Sequence, residues 1–278
     1  MSDPTSSPPK PPPSFSALPS VSVASSFRRL GIGLTDLGRK RTSNEDAFFL
    51  DDTLGLYVVA DGMGGHAAGE VASQESVETV YGMVKRQYAS LNALREPVNP
   101  DDARAACRVM ESAVQAATYM VFSMAEMDRG KTGMGTTISA LLVLGDFAVT
   151  AQVGDSRIYR INGTETEQLT EDHTLIAWQL KQGLITPQEA RKSPHRNVIT
   201  RAVGNRDYVQ VDTGLIPLKM GDKFLLCSDG LHGYLHQADI APIAALAGGP
   251  AVKRFIDLAN ERGGKDNITA IMVEIDAP

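Results

Sequence analysis

The stretch ISALLVLGDFAVTAQV, Ile138 to Val153, decides the fold class. Taken whole it is apolar enough for a buried helix, but Gly145 and Asp146 divide it into two runs rich in aliphatic and β-branched residues. Gly-Asp is turn chemistry, so the segment reads as a hairpin with arms over 136–144 and 147–153. The same interruption leaves it too short to span a bilayer. Working outward, strand-like runs recur at 47–50, 56–60, 157–161, 208–213, 223–227 and 267–275. Several are bounded by turn signals such as Gly154-Asp155, Asn162-Gly163 and Gly221-Asp222. Helical periodicity covers 67–88 and 101–127, then 240–246 and 251–261. Long helices that come as a pair, and strands that come in runs, predict an α+β fold with antiparallel sheets rather than an alternating βαβ one.

Composition sets the outer limits. A chain of 278 residues, 42% hydrophobic and 22% charged, can bury a large core. A net charge of -6 opposes a nucleic-acid surface, which needs clustered Lys and Arg. The two cysteines, Cys107 and Cys227, are far apart and form neither a disulfide framework nor a zinc ribbon. Residues 1–26 are rich in Pro and Ser, include Pro11-Pro12-Pro13 and lack apolar periodicity, so a disordered tail is expected there. Nothing in it resembles a secretory signal. The expectation is a cytoplasmic monomer with neither a membrane nor a nucleic-acid partner.

Four short segments place an acidic residue at a strand end beside glycine or a small polar residue. They are Asn44-Glu45-Asp46, Asp61-Gly62-Met63-Gly64-Gly65, Ser228-Asp229-Gly230 and Lys265-Asp266-Asn267. Each alone is ordinary turn chemistry. As a set they offer carboxylates and close-approaching backbone to a hard divalent cation such as Mg²⁺ or Mn²⁺, which takes oxygen ligands. Without a cation, converging aspartates repel one another. Spacing does not decide whether these strand ends meet.

These segments, with Arg41, Gly133-Met134-Gly135-Thr136-Thr137, Val153-Gly154-Asp155-Ser156-Arg157 and Asp266-Asn267-Ile268, resemble the ordered motifs of the PPM (type 2C) protein phosphatases. Asp61-Gly62-Met63-Gly64-Gly65 is similar to the bacterial branch. The resemblance covers 27–278, the expected catalytic domain. It implies a four-layer α-β-β-α sandwich of two antiparallel sheets flanked by helices, and phosphoserine/phosphothreonine hydrolysis by a metal-activated water. It implies two Mn²⁺ or Mg²⁺ ions, with Asp61 shared between them and the Gly62 carbonyl on one. Asp229 and Asp266 then hold the first ion, Glu45 helps hold the second, Asp46 orients the attacking water and Arg41 binds the phosphoryl group. Phosphorylated proteins, made by serine/threonine kinases, are the implied partners.

The chain departs from the family pattern at three places. Met63 stands where eukaryotic members carry a histidine proposed as general acid, and His66 nearby reads as a loop histidine. Thr132 stands where many bacterial members place an aspartate for a third metal, and Asp128 is the nearest upstream acid. His232 and His236 have zinc-like spacing but no HExxH or Cys partner, so they read as surface or helix-start residues, with a place near the cleft as the alternative for His232 because it closely follows Asp229. Residues 171–204 resemble the family's substrate-facing flap. A non-catalytic metal-binding relative used as an interaction module would be expected to lack a carboxylate of the set, and this chain keeps them all. A nucleotide-binding reading fails because Gly62–Gly69 has neither a GK[ST] ending nor a GxGxxG pattern.

Overall fold

The computed structural model describes residues 27–64, 67–92, 100–195 and 197–277. The expected tail over 1–26, His66 and Arg196 lie outside these residues. The hairpin is present as β5 (Ile138–Leu144) and β6 (Phe147–Val153), paired from Ile138 opposite Val153 to Leu144 opposite Phe147. Gly145 turns it at φ 52°. Every residue of both arms is buried, because helices cover one face of their sheet and a second sheet covers the other.

The hairpin belongs to a six-stranded antiparallel sheet with β2 (Asp46–Asp51), β3 (Leu56–Met63) and β9 (Asp212–Pro217), in the order β2-β3-β5-β6-β9. The two-residue β4 (Gly135–Thr136) lies on the end of β3. The other sheet runs β1 (Arg28–Asp36), β11 (Ile268–Asp276), β10 (Lys223–Cys227), β7 (Arg157–Asn162), β8 (Glu165–Gln168). Between the sheets pack Tyr57, Leu141, Ile158, Phe224, Leu226 and Ile271.

On the outer face of the six-stranded sheet lie α1 (Ala67–Asn92) and α2 (Pro100–Met127). The buried residues of α2 include Ala103, Ala106, Met110, Ala113, Ala117 and Val121, spaced by three and four as one helix face requires. On the five-stranded sheet, α6 (Gln237–Ala244) and α7 (Gly248–Glu261) bury Ile240, Val252, Phe255 and Ile256 against Leu225 and Met272. The result is the four-layer α-β-β-α sandwich that the resemblance implied. Within 171–204 lie α3 (Leu175–Lys181) and α4 (Pro187–Lys192), and α5 (Asp229–His232) follows β10.

The structure corrects three expectations of secondary structure. The segment RRLGIGLTD was assigned to nothing, yet it forms β1. Its glycines face the six-stranded sheet, where a Cβ on Gly31 would lie 2.4 Å from the Tyr57 ring and one on Gly33 2.6 Å from the Phe48 ring. Close approach, which looks like strand-breaking composition in sequence, is the reason for both. The run expected at 208–213 is displaced. The strand is Asp212–Pro217, while Val209 is tied to α2 through its amide and Gln115 Oε1 at 3.3 Å. Finally, β8 reads ETEQ and carries no apolar alternation, because it is an exposed sheet edge.

Candidate metal centre

Antiparallel pairing brings the carboxylate segments to one end of the sandwich. Asp46 opens β2 and lies opposite Asp61 near the end of β3. The backbone of Asp61 is strapped by the threonines of the Gly133–Thr137 segment. Its carbonyl accepts from Thr136 Oγ1 and the Thr137 amide, both at 2.9 Å, and its amide donates to Thr137 Oγ1 at 3.0 Å. Gly62 donates to the Glu45 carbonyl at 3.1 Å. A Cβ on Gly62 would meet the Gly69 carbonyl oxygen at 2.2 Å and the Glu45 carbonyl oxygen at 2.5 Å, so only glycine fits.

Asn267 pulls the remaining loops inward. Its Oδ1 accepts from the Glu45 amide at 2.9 Å, and its Nδ2 donates to the carbonyls of Leu37 and Ser43. Asp229 begins α5, and Gly230 after it lets the chain pass against Asn267, where a Cβ would lie 1.9 Å from the carbonyl oxygen. Arg41 stands at the margin with its side chain 46% exposed. It reaches Asp266 Oδ2 at 2.8 Å and Glu45 Oε2 at 3.9 Å. All the residues picked from the sequence, Arg41, Glu45, Asp46, Asp61, Gly62, Asp229 and Asp266, therefore fall in one neighbourhood.

The electrostatics there are those of acids gathered without enough positive charge. Burial, followed by the charge of Asp46, Asp229, Asp155 and Asp266, raises the Asp61 carboxyl well above its ordinary range. Burial pushes Asp46 up to about 7, with Asp229 and Asp266 adding to it and hydrogen bonds from Thr269 and Ser228 opposing it. Asp229 is raised by burial and by Asp266. Among the described residues, no three Asp, Glu, His or Cys side chains already close into a ligand set. What fits a hard divalent cation is the donor chemistry: buried carboxylate and carbonyl oxygens only, no sulfur, and repulsion that a cation would relieve.

Two further residues border this cluster, and sequence reasoning singled out only the second. Asp155 had been read as part of a turn signal, yet burial pushes its carboxyl up to about 7, with Asp229 and Asp172 as the next causes. Of the two readings open for His232, the structure takes the one near the cleft and not the surface one. His232 ends α5 beside Asp155, its Nε2 lies 2.9 Å from the Asp155 carbonyl, and burial lowers its pKa to about 3. Its position three residues after Asp229 was the available signal. His236 sits at the helix start of α6, where its amide donates to the Asp239 carboxylate at 2.9 Å. Asp128 is engaged locally, accepting from the Gly130 amide at 2.9 Å and pairing with Lys131 at 3.6 Å, while Thr132 is exposed.

The segment 171–204 is pinned at its base. Arg157 forks onto Asp172 at 2.8 and 2.6 Å. His173 Nδ1 accepts from the Gly154 amide at 3.1 Å, and its Nε2 lies 3.0 Å from Asp212. Hydrogen bonds from His173 and Arg201 hold the Asp212 carboxyl down at about 2.

A two-sheet sandwich whose strand ends gather oxygen donors beside an arginine has the donor chemistry that hydrolysis of phosphate esters through divalent cations requires. The chain belongs to the protein phosphatase 2C family, whose model matches residues 38–271. It is 34% identical over 250 residues to the protein phosphatase PhpP of Streptococcus pneumoniae, spanning 87% of this chain and 96% of that one. The crystal structure of the Mycobacterium tuberculosis serine/threonine phosphatase PstP/Ppp superposes with a TM-score of 0.77 at 32% identity, covering 89% of this chain and 99% of that one. A structure of the catalytic domain of PstP in complex with two manganese ions gives a TM-score of 0.76 at 30% identity, covering 90% and 99%.

Proposed function

We propose that this chain removes phosphate from phosphoserine and phosphothreonine in proteins, using two Mn²⁺ or Mg²⁺ ions. The observation that carries the reading is the convergence of Asp46, Asp61, Asp229 and Asp266 at one end of the sandwich, three of them with carboxyls raised by burial and like charge. When bound, two such cations acidify a water nucleophile and neutralise charge on the phosphoryl oxygens. Asp61 and the Gly62 carbonyl would help hold these ions, Asp229 and Asp266 would complete a first site, and Glu45 would contribute to a second. Asp46 accepts a hydrogen bond from the attacking water and orients it. Arg41, half exposed, leaves its carboxylate partners to fork onto the phosphoryl group, for which a guanidinium is shaped.

The segment 171–204 is read as the substrate-facing flap, supported by the exposed Trp178 and Leu184 that it carries. A cytoplasmic monomer acting on the products of serine/threonine kinases is the matching physiology. Cys107 and Cys227, both free thiols, suit a reducing compartment. No helix among the described residues is long and apolar enough to cross a membrane. The test is turnover of phosphoserine and phosphothreonine peptides with Mn²⁺, Mg²⁺ or EDTA. Activity that needs either cation and disappears in EDTA is expected. Full activity in verified metal-free protein would overturn the reading, and metal binding without turnover would favour the interaction module instead.

A further inference from the structure

Asp46 is held from behind by a chain of hydroxyl groups. Its Oδ2 accepts from Ser228 Oγ and from Thr269 Oγ1, each at 2.7 Å. Ser228 and Thr269 are fully buried, and they are tied together because the Thr269 amide donates to Ser228 Oγ at 3.0 Å. Thr269 lies opposite Thr35 in the β1–β11 pairing, and their hydroxyl oxygens are 2.8 Å apart. Asn44 Nδ2 donates to Thr35 Oγ1 at 2.8 Å, and Asn44 Oδ1 in turn accepts from the Asp46 amide at 3.1 Å. The loop of contacts therefore begins and ends on the residue it supports.

Donor inventory fixes the direction of this chain. The Asn44 amide nitrogen carries only donors, so Thr35 Oγ1 accepts there. Each hydroxyl has a single proton to give. Thr35 passes its proton toward Thr269, and Thr269 toward Asp46, where an ionised carboxylate only accepts. Ser228 Oγ already accepts the Thr269 amide, which leaves its proton for the same carboxylate oxygen. Two charge-assisted hydrogen bonds thus converge on Oδ2, and such bonds are shorter and about twice as strong as neutral ones. Among the described residues no side-chain donor is directed at Oδ1.

We propose that Ser228 and Thr269, backed by Thr35 and Asn44, are positioning residues that hold Asp46 by Oδ2, so that Oδ1 alone is presented to the attacking water. This inference rests on the phosphatase reading above. The arrangement matters because a carboxylate free to rotate would offer the water either oxygen at varying angles, and misplacement on the order of 1 Å costs about 100-fold in rate. Both hydroxyl protons are directed to Asp46. Their effect passes only through Asp46.

The experiment compares Thr269→Val, Thr269→Ser, Ser228→Ala and the wild-type chain. Valine keeps the shape of threonine and removes only the hydroxyl. Thr269→Val should lower kcat by roughly tenfold or more, the scale of losing a hydrogen bond to a charged group. KM for a phosphopeptide, Mn²⁺ affinity by titration calorimetry and Tm should stay near wild type. Thr269→Ser should recover most of kcat, and Ser228→Ala should resemble Thr269→Val. In crystal structures, the Asp46 carboxylate should be rotated or split in the valine variant and single in the serine variant. Wild-type kcat in folded Thr269→Val would overturn the proposal. So would a serine variant as slow as the valine one, or a loss of Mn²⁺ affinity that accounts for the loss of kcat. If the wild-type chain itself turned over no phosphopeptide, the phosphatase reading would fall. The orientation of Asp46 in the two crystal structures would then decide the positioning claim by itself.

Discussion

The two ends of β10 carry buried aspartates with opposite surroundings. Before the strand, Asp222 is fully buried. Its carboxylate receives Arg160 at 2.5 Å, Asn162 Nδ2 at 2.7 Å and the Lys219 amide at 2.7 Å. After the strand, Asp229 faces Asp266 and Asp61, and burial together with Asp266 raises its carboxyl. The five residues of the strand itself span about 17 Å. One end satisfies its charge with the protein's own donors, and the other stacks like charges. Burial of a carboxylate alone therefore says little about its role. Whether the protein supplies the partners separates a structural aspartate from one that needs something from outside.

That contrast breaks most visibly under substitution of the unsatisfied end. Asp61→Asn and Asp229→Asn should each cost several orders of magnitude in kcat while the chain stays folded. The pair should be scarcely worse than either alone, because residues of one centre are not additive. Turnover and bound metal measured for the three variants check this. Near wild-type turnover in a single variant, or multiplicative losses in the pair, would dissolve the shared centre. At the other end, Asp222→Ala should cost about 3–5 kcal/mol of stability by stranding Arg160. Denaturant unfolding reads that loss, and kcat measured well below the transition should be nearly unchanged.

The two arginines sharpen the same division. Arg41→Ala should reduce kcat/KM on phosphopeptides and leave Tm and metal content close to wild type, because its guanidinium is half exposed and its partners are the site carboxylates. Arg160→Ala should do the reverse. Unchanged kcat/KM in folded Arg41→Ala would remove that residue from the site.

The smallest effect concerns pH in metal-free protein. Asp46 and Asp155 have folded-state pKa values of about 7, above the ordinary carboxylate range, so the folded state binds protons more readily than the unfolded one. Their contribution to stability is greatest in acid and declines as pH rises from about 4 to about 7. Asp212, held down at about 2, acts oppositely and loses its contribution only as pH falls through that value. Thermal melts in EDTA should show stability falling as pH rises from about 4 to about 7. A slope that persists unchanged with Mn²⁺ present would mean that the site carboxylates are not its source.

Much of this was legible in the chain. Gly145-Asp146 announced the hairpin, and the helices of the outer layers were visible because one buried face repeats every three to four residues. The helix α4 was also signalled, by Thr186-Pro187-Gln188-Glu189, a capping box with proline at its first position. That signal was subordinated to reading the segment as a flap. By contrast, β1 was hidden because its glycines answer to Tyr57 and Phe48, residues some 15 to 26 positions away.

What the sequence determined by itself was local: apolar period, turn chemistry, caps, and an acid at the end of each of several strands. Family resemblance added which of those acids belong together. Only the tertiary structure decided that Asp61 lies opposite Asp46, that Gly230 passes against Asn267, and that Thr269 and Ser228 reach one oxygen of Asp46. It also separated Asp222 from Asp229, two residues that look alike beside glycine in the sequence. The reason is physical: local propensities act over a few residues, whereas the energy of a buried charge depends on partners that only folding brings within hydrogen-bond distance.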